Sequence, residues 1–286
     1  MIETGSAPLH EARASIRLPT SFTRSHQQVI ERYMCGTESL AGDDWSLLIA
    51  AMDALRRAEV VRDAEAETFA AIYDRLVYAV YSDGLIQQLI SLGDPESEYE
   101  VLRAAASRRV LADLRTSGLW RADAPLSQLL VAFCLYWWQM FVRGYAFEVA
   151  IYRDLAENGI VHIAHDLRNR QARLSGHDLK VMGFQGDVKT STYFMLTRRS
   201  EALAHDFYIT RMYRADTRRW HRAVWVKLWF WRVLNGEPTP TPYEIIWQVL
   251  PHAAQITLRG HRFVVVLYEE WKRRVIARQT KEASDV

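Results

Sequence analysis

The sequence predicts an α+β protein, or an α/β one in its second half: an all-helical N-terminal region followed by a mixed sheet flanked by helices. Three observations carry this. From about Ser25 to Leu119, apolar residues recur at three- and four-residue spacing in a chain rich in Ala, Leu, Arg and Glu. After Asn158-Gly159 the pattern changes to short β-like runs. The order, helices first and then mixed β and α, is that of a layered α+β or α/β architecture.

The elements follow in order. Residues 1–24 read as a loose arm, 25–125 as a helical domain and 126–286 as a second domain. "SLGDPESEYEVLRAAASRRVLADL" reads as a helix end, a Gly-Asp-Pro turn and a new helix. A long helix starts near "ADAPLSQ" and ends at Asn158-Gly159, where Gly suits a C-cap. Its segment Leu126 to Val142, "LSQLLVAFCLYWWQMFV", is strongly apolar. It contains Gln128 and Gln139, runs into Arg143 and falls short of the roughly 20 residues of a membrane span, so a core helix is expected. "IVHIAHD" follows as a strand, then a hairpin in "GHDLKVMGFQGDVKTST". "DFYITRMYR" and "AVWVKLWFWRVL" are further strands. "GEPTPTPYE" is a loop, because prolines cannot hold a ladder. "RFVVVLYEEWKRRVIARQ" passes from a strand into a closing helix.

The chain has 286 residues, 49% hydrophobic and 24% charged, as expected of a folded soluble protein. Two cysteines, Cys35 and Cys134, exclude a disulfide scaffold, a zinc ribbon and an iron–sulfur cluster, and Cys134 in the apolar helix reads as core. The N-terminus has no basic start followed by an apolar run, so a cytoplasmic protein is expected. Charge is unevenly spread. Residues 37–125 hold 9 Arg and 16 acids, whereas residues 197–232 hold 9 Lys and Arg against 3 acids. The second block contains Arg211, Arg214, Arg218, Arg219, Arg222, Lys227 and Arg232. Such a patch attracts phosphate backbones, or is simply a solvated face.

The hairpin carries the chemistry. A two-residue turn at Met182-Gly183 pairs Val181 with Phe184, and in that register Asp178 lies opposite Asp187, whereas a turn at Gly183 to Gly186 would set the two acids roughly 13 Å apart. Leu179, Val181, Phe184 and Val188 then form an apolar face; Asp178, Lys180, Gln185, Asp187 and Lys189 form the other. Opposed carboxylates destabilise a sheet unless a cation lies between them, and Mg²⁺ suits such oxygen ligands. Upstream, Glu148 falls on the last turns of the long helix.

This order, a helical acid, a strand acid and then Asp-x-Lys on the paired strand, resembles the PD-(D/E)XK nuclease superfamily, the restriction-endonuclease-like fold. The resemblance covers about Tyr145 to Tyr213, and His177 stands where many members have proline. It implies a Mg²⁺- or Mn²⁺-dependent nuclease, with DNA the expected substrate. Asp178 and Asp187 would bind the metal with the Val188 carbonyl. Lys189 would orient water and stabilise developing charge. Glu148 would hold a water of the metal shell or a second ion. Arg211, Arg214, Arg218, Arg219, Arg222 and Lys227 would bind backbone phosphates. The acidic helical region would serve protein contact or dimerisation.

The motif is short. With five lysines and 34 acids, chance gives fewer than one acid-x-Lys, yet there are three: Asp178-Leu-Lys180, Asp187-Val-Lys189 and Glu270-Trp-Lys272. The last reads as an exposed helix start. His162 and His165 point to opposite faces of a strand and do not make a metal pair. Trp220, Trp225, Trp229 and Trp231 read mainly as core, although aromatics among arginines also stack nucleobases. Thr190 and Ser191 follow the lysine within reach of a phosphate. Two alternatives remain: a non-catalytic nucleic-acid- or protein-binding member of the same fold, and a membrane-associated helical protein built on Leu126 to Val142.

Overall fold

The computed structural model describes residues 15–36, 40, 43–62, 65–122, 124–169, 171–174, 176–192 and 203–285. The chain is mixed α and β and divides into two compact units, each discontinuous in sequence. One comprises Met1–Leu85 and Glu100–Val142, the other Ile86–Tyr99 and Arg143–Val286. The expected boundary at 125/126 precedes the long helix, whereas the compact units divide inside it.

The first unit is not all-helical. Besides helices α1 (Arg24–Cys35) and α2 (Asp44–Leu55), it holds an antiparallel sheet of β1 (Ser15–Arg17), β2 (Glu59–Arg62) and β3 (Glu65–Thr68). Residues 15–17 of the expected arm are thus a strand. Glu, Ala and Arg favour helix intrinsically, but pairing of Val60 with both Ile16 and Glu67 overrides that preference. Next come α3 (Phe69–Tyr73), a π-helical turn, α4 (Ala79–Ser91), α5 (Pro95–Thr116) and α6 (Ser127–Glu157). In the first half of α6, Phe133, Cys134 and Trp138 are buried, as expected of a core helix. No helix among the described residues is long and apolar enough to cross a membrane.

The second unit is built on eight strands in the order β4-β5-β6-β7-β8-β11-β10-β9. They are β4 (His162–Ala164), β5 (Leu179–Val181), β6 (Phe184–Lys189), β7 (Phe207–Arg214), β8 (Arg219–Lys227), β9 (Thr239–Pro240), β10 (Ala254–Leu258) and β11 (His261–Leu267). Two pairs, β6–β7 and β9–β10, are parallel and the rest antiparallel. Alternate residues feed two cores. Val188, Ile209, Val224 and Val264 pack with Phe147, Ile151 and Leu155 of α6 on one face. Tyr208, Trp225, Phe263 and Ile256 pack with Ile246 on the other.

Two segments differ from the sequence reading. "AVWVKLWFWRVL" is a strand only to Lys227; Leu228–Val233 is a short helix, α7. Thr239–Pro240 pairs with β10 despite its prolines. It is an edge strand whose Thr239 and Thr241 amides bond the Ala253 and Gln255 carbonyls, leaving proline the positions that need no donor. The closing helix α8 is Tyr268–Ser284. Its Glu270 and Lys272 are buried rather than exposed. Lys272 Nζ lies 3.0 Å from Asp154 Oδ2, and Arg274 Nε 2.7 Å from Glu270 Oε1.

Candidate metal centre

The β5–β6 hairpin turns at Met182-Gly183, with Val181 opposite Phe184 and Leu179 opposite Gly186. Both turn residues have positive φ, 52° and 81°, the conformation that matches a hairpin's twist. Gly186 is required for another reason: a Cβ there would lie 2.1 Å from the Phe207 ring of β7. The hairpin therefore lies tightly on β7, which fixes the position of Asp187, the next residue.

One step before β5, Asp178 bonds both neighbouring strands. Its amide donates to the Gly186 carbonyl at 3.0 Å, and its carbonyl accepts the His165 amide at 3.0 Å. Its carboxylate Oδ2 accepts the Val188 amide at 2.7 Å. Asp187 reaches it from β6, and the two carboxyl groups share a hydrogen bond. From α6, Glu148 Oε1 lies 2.8 Å from His165 Nε2. The Tyr152 hydroxyl stands 2.6 Å from Glu148 Oε1 and 2.9 Å from the Asp178 carbonyl, with one proton to share between them. The Lys189 ammonium contacts Asp187 Oδ1 and lies 3.5 Å from Asp178 Oδ2. It also donates to the Val188 carbonyl at 3.3 Å, the oxygen expected to help hold a metal. All four expected residues, Glu148, Asp178, Asp187 and Lys189, are therefore brought together.

Burial sets the electrostatics. Glu148 is only 7% exposed, and desolvation raises its pKa against the pull of His165 and Tyr152. Asp187 is raised by desolvation and by the Asp178 carboxyl beside it. Asp178 is desolvated too, yet its pKa is lowered, because the bond to Asp187, the Lys189 charge and the Val188 amide favour its anion. Desolvation works against charged Lys189, but the Asp187 and Asp178 carboxylates outweigh it and raise its pKa. His165 is raised as well, its desolvation exceeded by the bond to Glu148 together with the charges of Glu148 and Asp178. Two close carboxyl groups resist joint ionisation, so a proton or a cation must lie among them.

Glu148, His165 and Asp178 each offer a ligand atom, all within 4.8 Å of one another. Two carboxylates and an imidazole fit a divalent cation; oxygen alone is the Mg²⁺ preference, and the imidazole extends the fit toward Mn²⁺. Comparison with protein-family models, curated protein sequences and solved structures returns no match for this chain.

Sequence reasoning weighed His165 only as the partner of His162 and set it aside. On a strand it opposes His162, whose Nδ1 lies 2.8 Å from the Ile160 carbonyl. The β4–β5 register, His162 opposite Val181, extends by the His165–Asp178 bond and sets His165 beside Asp178.

The basic block is only partly a phosphate surface. Arg211 and Arg222, cross-strand partners, both grip the Glu96 carboxylate in the first turn of α5. Arg214 pairs with Asp216. Lys227 is 1% exposed, its Nζ 4.5 Å from the Phe263 ring centroid, and so is withdrawn from any surface a phosphate reaches. Arg218 and Arg219 are exposed. Trp225 and Trp231 are core, while Trp220 and Trp229 are more than half exposed.

Proposed function

We propose that the chain is a metal-dependent nuclease that hydrolyses phosphodiester bonds of nucleic acid, with DNA the expected substrate. The observation that carries this is the convergence of Glu148, Asp178, Asp187 and Lys189, two buried acids, a half-buried one and a lysine, from a helix and a strand hairpin. So many buried charges in one place are costly for structure alone and are common where chemistry needs them. A divalent cation bound there supplies Lewis-acid polarisation of the phosphoryl group and a more acidic attacking water. Glu148, Asp178 and His165 would hold it. Asp187 would bind it in exchange for its proton, and Tyr152 and the Val188 amide orient the carboxylates. Lys189, released from Asp187, would donate to the phosphoryl oxygens as charge builds on them. Glu148, through the carboxylate oxygen not turned to the cation, would receive the proton of the attacking water.

One observation favours a non-catalytic reading: the Lys189 ammonium already sits between the carboxylates as an internal cation. Nicking of supercoiled plasmid and cutting of labelled single-stranded DNA decide between them, in Mg²⁺, Mn²⁺ and EDTA. The nuclease reading expects cleavage that EDTA abolishes and that Lys189→Ala lowers about 100- to 1,000-fold, the loss typical of one charge-stabilising donor. Asp187→Asn would abolish it. No cleavage with either metal, together with a more stable Asp187→Asn protein, would establish the charged cluster as structural.

A further inference from the structure

We propose that the tip of the β7–β8 hairpin is a stacking platform for an unpaired nucleobase of a single-stranded nucleic acid. The proposal rests on the nucleic-acid reading above and adds a binding site to it.

Tyr213 and Trp220 are cross-strand partners at the last turn of the hairpin. Their ring centroids are 5.6 Å apart and their planes meet at 64°. They are 43% and 58% exposed, whereas Ile209 and Val224, on the same face deeper in the sheet, are completely buried. The cross-strand pair stabilises the hairpin, yet it leaves about half of each residue in water and open to a further partner. What surrounds them is cationic. Residues 213–222 contain four arginines and one acid. Arg218 and Arg219 are exposed at the turn, and Arg211 and Arg222, both paired with Glu96, follow one step inward on the face of the rings. Aromatic rings among arginines suit a partner with flat faces and an anionic backbone, the chemistry of a single-stranded nucleic acid. In a duplex the base faces are hidden by stacking, so the platform favours an unpaired base.

β7 runs parallel to β6, with Thr210 opposite Lys189. Tyr213 lies three residues further along, about 10 Å past the end of β6. Phe147, 5.1 Å below the Arg211 guanidinium, immediately precedes Glu148 on α6. The rings share their sheet face with Ile209, Val224 and Phe147, while Asp187 and Lys189 project from the other face of β6. The tip is also held in place. The Ala215 and Asp216 amides bond the Trp247 and Gln248 carbonyls at 3.0 and 3.2 Å, and Thr217 Oγ1 lies 2.8 Å from His221 Nε2. A fixed platform loses little entropy when a base stacks on it.

The test is fluorescence anisotropy of a labelled oligothymidylate and of a blunt duplex, in EDTA so that neither is cut. It compares the full wild-type chain with Trp220→Ala, Tyr213→Ala and Trp220→Phe. Trp220→Ala is expected to weaken single-strand binding about 5- to 150-fold, the equivalent of 1–3 kcal/mol per stacked base. Duplex affinity should not change, and Trp220→Phe should retain most of the single-strand affinity. Equal single-strand affinity of wild type and Trp220→Ala would overturn the platform. So would an equal loss on single strand and duplex, or Trp220-dependent binding to anionic vesicles without oligonucleotide binding. Plasmid nicking is read separately. Selective loss of binding in Trp220→Ala with an inactive wild type upholds the platform and removes the catalytic reading. An active wild type with unaltered Trp220→Ala binding does the reverse.

Discussion

Lys227 is a charge that the fold accommodates poorly. It is 1% exposed, and desolvation lowers its pKa to about 8 against the attraction of Asp206. Below pH 8 the ammonium is charged in both folded and unfolded chains, and burying it costs about 3 kcal/mol. Between pH 8 and about 10.5 the unfolded chain holds a proton that the folded one has lost, so stability rises with pH across that window. Urea denaturation should show this rise in the wild type. Lys227→Met should be more stable at pH 7, with its advantage vanishing toward pH 10.5. Gly186 gives a second residue-scale prediction. Its missing Cβ admits the Phe207 ring, so Gly186→Ala should destabilise the chain by about 1–3 kcal/mol in thermal melts. It should also reduce cleavage, because Asp187 moves with the strand. Both features have a sequence signal: Lys227 interrupts the apolar run "AVWVKLW", and Gly186 lies inside a strand pattern. Only the structure reveals what they pack against.

At the scale of elements, the β5–β6 hairpin was legible because turn chemistry fixes register locally. Given Met182-Gly183, the facing of Val181 and Phe184 follows, and with it the approach of Asp178 to Asp187. His165 was hidden because its neighbour, Asp178, is set by the β4–β5 pairing across a connection without periodicity. The small sheet was hidden because Glu, Ala and Arg in "EVVRDAEAET" have helical propensity that strand pairing overrides. The Glu96 clamp on Arg211 and Arg222 had no local signal, since its partners are more than a hundred residues away. It makes a prediction of its own. Glu96→Gln should free two guanidinium groups, lowering stability by about 1–2 kcal/mol for so partly exposed a cluster. It should also steepen the dependence of log affinity on log salt by up to about 1.4 for a single strand. Titration of oligonucleotide binding at several salt concentrations checks this.

The whole molecule was legible as a class and not as a partition. The change from helical to β pattern after Gly159 is real, but the compact units do not follow it. The segment Ile86–Tyr99 belongs with the eight-stranded sheet, to which it contributes Glu96 and the carbonyls of Ile90 and Gly93 that receive the Arg153 guanidinium. This has a consequence for biosynthesis. A ribosome delivers Ile86–Tyr99 long before β7 and β8, so Glu96 must wait for its arginines while the intervening chain is made. The sheet unit then closes through contacts of high sequence separation, the slow kind. A C-terminal fragment beginning at Arg143 would emerge without a piece of its own body, with Arg211, Arg222 and Arg153 deprived of their partners.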